Sequence, residues 1–241
     1  KEWKTASNSR QFESIQLNRV DANLIEVVVK YNLNNIDSSN KLTYSINSKG
    51  VLNVKNEFIY GGKLNDAQMP RFGMNFIMPK EYNNVIWYGR GPHENYSDRK
   101  SSAFVGLYNN LVEDLDFEYS RPQENGYRTD VRWLKVLNKN NVGFEIIGEP
   151  LVSFSAHYNT IEDFDDGLSP KKPGENVGAR KRIVKKQRKP IDVPKRDFIS
   201  LNIDLKQMGV GGDNSWGART LKKYTIEPGN YTYSYVIRPV N

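Results

Sequence analysis

The chain has 241 residues, enough to bury a sizeable core in one large domain or two small ones. It contains no cysteine, which excludes disulfides and thiolate metal sites and leaves the cellular compartment undetermined. No stretch approaches the ~20 consecutive apolar residues of a membrane-spanning helix, so no membrane span is predicted. Lys1 begins no basic-then-apolar leader, so we expect a chain that was cut from a longer one or that carries no signal of its own.

The net charge of +7 is concentrated in one segment. Residues 170–196 contain eleven Lys and Arg, two acidic residues and four prolines, so we predict an exposed basic loop at 167–197. Nucleic-acid surfaces interleave aromatic side chains with cations, and residues 170–196 contain no aromatic side chain, so we do not expect a nucleic-acid partner. Electrostatic docking of an acidic partner through this loop stays open as an alternative.

Alternation of apolar and polar residues recurs along the chain from residue 24 onwards, whereas residues 1–10 are polar and unpatterned and predict an edge or a frayed start. The runs on either side of the Ser48-Lys49-Gly50 turn predict a hairpin. About ten strands without a long helical period predict a single all-β domain over 1–241, a large antiparallel β-sandwich. The predicted strands are 24–30, 41–47, 51–58, 70–78, 84–88, 103–107, 130–137, 141–147, 151–157, 198–205 and 231–238.

Independent catalytic chemistry is not indicated by the residues. His93 and His157 are the only histidines, and neither is part of a paired-histidine metal motif or a nucleophile elbow, so we predict structural roles for both. The sequence has no phosphate-cradling Gly-Lys-Ser/Thr loop. Paired carboxylates such as Asp165-Asp166 are adjacent in sequence, but adjacency does not place two carboxylates across a glycosidic bond.

The segment Met208-Gly-Val-Gly-Gly-Asp-Asn-Ser-Trp-Gly-Ala-Arg219 predicts a shaped loop. Gly209, Gly211 and Gly212 permit backbone conformations that strand and helix interiors disfavour, and the polar residues that follow them bond nearby backbone groups. Trp216 has few local apolar neighbours, so we interpret its indole as a platform for stacking on a sugar, a base or a partner side chain. The alternative, an outlying core residue, stays open on this segment alone.

Four motifs occur in an order that resembles a known family. They are Pro70-Arg-Phe-Gly73, Trp87-Tyr-Gly-Arg-Gly-Pro-His-Glu-Asn-Tyr-Ser-Asp-Arg99, Pro122-Gln-Glu-Asn-Gly-Tyr-Arg128 and Met208-Gly-Val-Gly-Gly-Asp-Asn-Ser-Trp216. Together they resemble the C-terminal small-chain domain (domain 5) of glycoside hydrolase family 2 β-galactosidases, the type of the large bacterial lactase. The resemblance covers nearly the whole chain.

The resemblance implies the supersandwich fold that galactose mutarotases also have. It implies that the catalytic glutamates, with magnesium and sodium sites, lie on a separate (β/α)₈ barrel of the same polypeptide, so that this fragment is inactive alone. The substrate would be a β-galactoside such as lactose, cleaved with retention, and the parent enzyme could be a homo-oligomer. Trp216 would stack on the sugar. Four residues of its loop would support it: Gly211, Gly212, Asp213 and Asn214. Seven other residues would form structural turns: His93, Glu94, Asn95, Tyr96, Arg99, Glu124 and Asn125.

Two features depart from the family pattern. Strands and an Arg-Ala-Pro-x-Asp-Asn-Asp-like motif are expected before the match at Glu2-Trp3-Lys4, so the sandwich would lack its first strands and leave a sheet edge unpaired. The basic segment 170–196 is also longer and more cationic than the family's loop. A free-standing carbohydrate-binding module and an interaction domain that uses the basic loop are the alternative functions.

Overall fold

The computed structural model describes residues 2–64, 68–164, 189–212, 214 and 218–241. Within those residues the structure has one short α-helix, α1 (Glu2–Ala6), and eleven strands. The strands are β1 (Gln11–Arg19), β2 (Leu24–Leu33), β3 (Ser38–Asn47), β4 (Leu52–Ile59), β5 (Arg71–Pro79), β6 (Asn84–Gly91), β7 (Phe104–Leu111), β8 (Arg128–Leu137), β9 (Gly143–His157), β10 (Phe198–Gln207) and β11 (Tyr231–Val240).

All strand pairs are antiparallel, and nine strands follow the order β1-β2-β3-β4-β11-β9-β8-β6-β7. The remaining two strands branch from β9, because β10 pairs with the far half of β9 and β5 pairs with β10. This arrangement confirms the predicted all-β antiparallel sandwich. Among the described residues, no helix combines the length and apolarity that crossing a membrane requires.

Eight strands contribute buried apolar side chains to one core cluster. They are β2, β4, β5, β6, β8, β9, β10 and β11, and the cluster includes Trp87, Phe154, Leu201 and Tyr235. Phe154 packs edge-on against Trp87, with ring centroids 5.7 Å apart. The alternation in β11 places Tyr233 and Tyr235 in this core, as period-2 patterning predicts.

Three predictions about elements require correction. The predicted strands 141–147 and 151–157 form one continuous strand, β9, although Gly148 and Pro150 indicated a turn between them. Its register with β8 shifts between Val131 and Trp133, and such irregularities absorb extra residues and bend a strand without ending it. The start of the chain contains a helix instead of an edge or frayed segment, and β1 was not predicted.

The two ends of the strand order carry exposed apolar side chains. β1 presents Phe12, Ile15 and Leu17 to solvent, and β7 presents Phe104 and Leu107. The predicted basic loop at 167–197 lies largely outside the described residues. The assignment of residues 1–241 to one domain that lacks its first strands stays a proposal.

Candidate functional site

Backbone hydrogen bonds hold the first residues of the glycine-rich loop where it follows β10. The Met208 amide donates to the Pro70 carbonyl at 3.0 Å, and the Gly209 amide donates to the Tyr224 carbonyl at 2.7 Å. The first motif therefore fixes the direction of the loop, because Pro70 immediately precedes β5. The loop begins as an extension of the sheet.

The carboxylate of Asp98 holds the next part of the loop. It accepts hydrogen bonds from the Val210 amide at 3.2 Å, the Gly211 amide at 2.8 Å and the Thr220 hydroxyl at 3.1 Å. Hydrogen bonds to a charged acceptor are stronger than neutral ones. Asp98 thus joins both sides of the loop to the turn at 93–99.

Glycine is needed in this loop for two reasons, a close contact at Gly209 and a positive φ at Gly211 and Gly212. A Cβ atom on Gly209 would lie 2.5 Å from Asp98 Cγ and 2.6 Å from the Thr220 hydroxyl. A side chain there would therefore displace the Asp98 carboxylate from its hydrogen bonds to the loop, which we call the Asp98 clamp. Gly211 and Gly212 have φ of 71° and 110°, which L-residues with side chains rarely adopt. Glycine is therefore required where the loop passes Asp98 and where it turns.

Trp216 and Asp213 lie outside the described residues, so their predicted stacking and supporting roles stay predictions. Asn214 Oδ1 accepts a hydrogen bond from the Ala218 amide at 3.3 Å across the segment that contains Trp216. Asp98 was not among the predicted site residues. Its motif was recognised, but nothing in the local sequence shows that its carboxylate reaches a loop 112 residues away.

The turn at 93–99 is braced by Glu94. Its carboxylate accepts hydrogen bonds from the Gly126 amide at 2.8 Å, from Arg99 Nη2 at 2.6 Å and from the Tyr119 hydroxyl. Arg99 also lies over the Tyr96 ring, 4.9 Å from its centroid. This arrangement links the second motif to the third.

Asn95 lies below that turn and is fully buried. Its side-chain Oδ1 accepts hydrogen bonds from the backbone amide and the hydroxyl of Thr129, at 3.0 and 2.7 Å, and its backbone amide donates to the Tyr127 carbonyl. Tyr96 stacks on Tyr127 with ring centroids 5.5 Å apart. The buried contacts make a rigid base for Asp98.

Glu124 and Asn125, the other predicted brace residues, lie in the same region. Glu124 pairs with Arg71 at 2.9 Å, and Asn125 Oδ1 accepts the Phe117 amide at 3.1 Å. His157 Nδ1 lies 2.5 Å from Asp116 Oδ1. His93 Nε2 lies 3.1 Å from the Ser102 hydroxyl. Among the described residues, no group of three or more His, Asp or Glu side chains could hold a metal ion.

Arg71, Asp204 and Glu124 form a partly buried charge cluster beside the glycine-rich loop. Arg71 Nε lies 3.1 Å from the Asp204 carboxylate, and the same nitrogen donates to Gln207 Oε1 at 3.0 Å. Burial would lower the pKa of Arg71, but the charges of Asp204 and Glu124 outweigh it and raise that pKa. Burial raises the pKa of Asp204 to about 7 against the opposing charge of Arg71.

The raised pKa of Asp204 predicts a pH-dependent stability. A carboxyl group whose pKa is higher in the folded than in the unfolded chain stabilises fully below the unfolded value, here 3.8, and loses that contribution as the pH rises through 7. We expect the unfolding free energy of the wild-type chain to fall, relative to that of Asp204→Asn, as the pH rises across this window. Denaturant unfolding of both chains at a series of pH values measures the difference. A difference that is constant, or that moves in favour of the wild type, would contradict the expectation.

The chain is also similar to known proteins over most of its length. It matches the family described as "Beta galactosidase small chain" over residues 1–237. A β-galactosidase of Priestia megaterium is 31% identical over 239 residues, which cover 99% of this chain and 21% of that relative. One of Halalkalibacterium halodurans is 32% identical over 191 residues, which cover 78% and 17% respectively. The chain thus spans about a fifth of the length of these relatives.

Two solved structures are similar to this chain at low sequence identity. A galactose mutarotase related enzyme from Lactobacillus acidophilus has 8% identity and a TM-score of 0.39, with 94% of this chain and 71% of that chain covered. A putative aldose 1-epimerase from Escherichia coli K12 has 13% identity and a TM-score of 0.38, with 94% and 68% covered. The family match extends over nearly the whole sequence, and this chain therefore belongs to the β-galactosidase small-chain family.

Proposed function

We propose that this chain is the non-catalytic C-terminal domain of a β-galactosidase that removes terminal β-D-galactosyl residues with retention. In this proposal the catalytic carboxylates, and the magnesium and sodium ions, belong to a (β/α)₈ barrel elsewhere in the polypeptide. The length of the relatives supports such a division, because about four fifths of each lies outside the matched region.

The contribution of this domain would be Trp216, placed against the sugar to complete the binding cleft. The observation that carries the proposal is the Asp98 clamp, which binds Val210 and Gly211 on one side of the Trp216 segment and Thr220 on the other. An aromatic ring stabilises a ligand best when its position is fixed before binding, because less conformational entropy is then lost. The clamp fixes both ends of the segment.

The proposal predicts that the 241-residue chain does not hydrolyse a chromogenic β-galactoside by itself. Retaining hydrolysis requires two carboxyl groups about 5 Å apart on either side of the scissile bond, and the proposal places both on the barrel. Purified chain is assayed beside the complete enzyme, with a chain carrying Trp216→Ala as a control for contamination. Turnover that stays with the folded chain through successive purification steps would overturn the assignment of catalysis to the barrel.

A further inference from the structure

A cleft lies where β3 and β4 face β5 and β10. Its volume is about 590 Å³, within the range of ~300 to 1,000 Å³ of small-molecule sites. Asn40 and Asn56 line it from β3 and β4, and Asn75 and Asn202 line it from β5 and β10. Among the residues of the glycine-rich loop that the structure describes, 208–212, 214 and 218–220, none lines the cleft.

The polar wall of the cleft is built from amides that orient one another. Asn75 Nδ2 donates to the Ser200 hydroxyl at 2.9 Å and to Asn202 Oδ1 at 3.0 Å. Asn202 Nδ2 in turn donates to the Ser155 hydroxyl at 3.0 Å. Across the cleft, Asn40 Nδ2 donates to Asn56 Oδ1 at 2.7 Å.

These contacts use the amide hydrogens and leave acceptors available. Among the described residues, the Oδ1 atoms of Asn40 and Asn75 have no hydrogen-bond partner. Each is therefore able to accept a hydrogen bond from a ligand hydroxyl. Asn75 is exposed, so a ligand reaches it without displacing the core.

An apolar patch completes the cleft. The rings of Trp3, Phe58 and Phe72 line it, with centroid distances of 6.3 Å between Trp3 and Phe58 and 5.8 Å between Phe58 and Phe72. Trp3 is only partly buried. A partly exposed indole next to oriented amides offers a ligand both an apolar surface and hydrogen-bond partners.

The charges at the cleft do not favour an ionic ligand. Arg71 lines it, but its guanidinium pairs with Asp204 and Glu124. Arg10 and Glu162, which also line the cleft, have opposite signs. An anionic ligand would face the carboxylate of Glu162 as well as the guanidinium of Arg10, whereas a neutral polyol requires only the amides and the ring.

We propose that this cleft is a second saccharide-binding site, which takes a neutral sugar of about disaccharide size independently of Trp216. That the sugar is a galactoside rests on the proposed function. The site would hold a sugar on the domain itself, in addition to the sugar that Trp216 is proposed to contact.

The test is a titration of the 241-residue chain with lactose, followed by NMR of the Asn side-chain amides and by calorimetry. We expect the signals of Asn75 and Asn202 to shift and saturate. We expect Asn75→Ala to raise the Kd for lactose about tenfold, which corresponds to about 1.4 kcal/mol. Asn53→Ala is the matched control, because Asn53 is an exposed amide of β4 that does not line the cleft.

Three results would overturn the proposal. They are no saturable shift of either signal at millimolar lactose, an equal loss of affinity in Asn75→Ala and Asn53→Ala, and binding that Trp216→Ala abolishes while Asn75→Ala leaves it unchanged. An unaltered Kd in Trp216→Ala supports the cleft. The proposed function is tested separately, by the effect of Trp216→Ala in the complete enzyme, so the two failures are distinguishable.

Discussion

Replacing Asp98 with alanine is expected to lower the unfolding free energy of the chain by about 2 to 4 kcal/mol and to release the glycine-rich loop. The substitution removes three hydrogen bonds to one carboxylate, and bonds to charged groups contribute about 1.5 to 3 kcal/mol each without full additivity. Denaturant unfolding measures the loss of stability. Amide hydrogen exchange measures the release, and we expect Val210 and Gly211 to exchange at least about tenfold faster.

Asp114→Ala is the matched control for Asp98→Ala. Asp114 is exposed, and among the described residues its side chain makes no hydrogen bond, so its removal is expected to change stability by less than about 0.5 kcal/mol. If Asp98→Ala and Asp114→Ala gave the same stability and the same exchange at Val210 and Gly211, Asp98 would not hold the loop. Unchanged exchange in an otherwise destabilised Asp98→Ala chain would lead to the same conclusion.

The strands that were predictable are those with uninterrupted alternation. β3 and β4 follow the period of two on both sides of the turn at Gly50, so their hairpin was predicted and is confirmed. β1 was missed because its register with β2 shifts between Phe12 and Ser14 and because its apolar residues stay exposed. In β9 the local signals of Gly148 and Pro150 indicated a turn, but pairing with β8, β10 and β11 continues the strand.

The separate segments of the candidate site were predictable from the sequence, but the contacts between them were not. Glycine density identified the loop, and the polar turns around Glu94 and Glu124 were recognised as motifs. The contacts between them were not predictable, because Asp98 and Gly211 are 113 residues apart and no periodicity relates them. Arg71 belongs to the recognised motif at Pro70–Gly73, but its ion pair was not predictable, because its partner Asp204 lies on a neighbouring strand.

Replacing Trp216 with alanine in the complete enzyme is expected to weaken sugar binding by about 1 to 2 kcal/mol, a factor of about 5 to 30. The loss is that of an aromatic surface from one side of the sugar. Trp216→Phe retains a ring at the same position and is the matched control, with an expected loss of about half as much. Neither substitution is expected to alter the clamp, because Asp98 binds Val210, Gly211 and Thr220.

The most direct test of the central claim is therefore the Kd of a non-hydrolysable β-galactoside for the complete enzyme and its Trp216→Ala variant, measured by calorimetry. The use of a non-hydrolysable ligand separates binding from hydrolysis. We predict a Kd about 5 to 30 times higher in the variant, with Trp216→Phe between the two. Equal Kd values in wild type and Trp216→Ala would contradict the account, because the indole would then make no contact with the sugar.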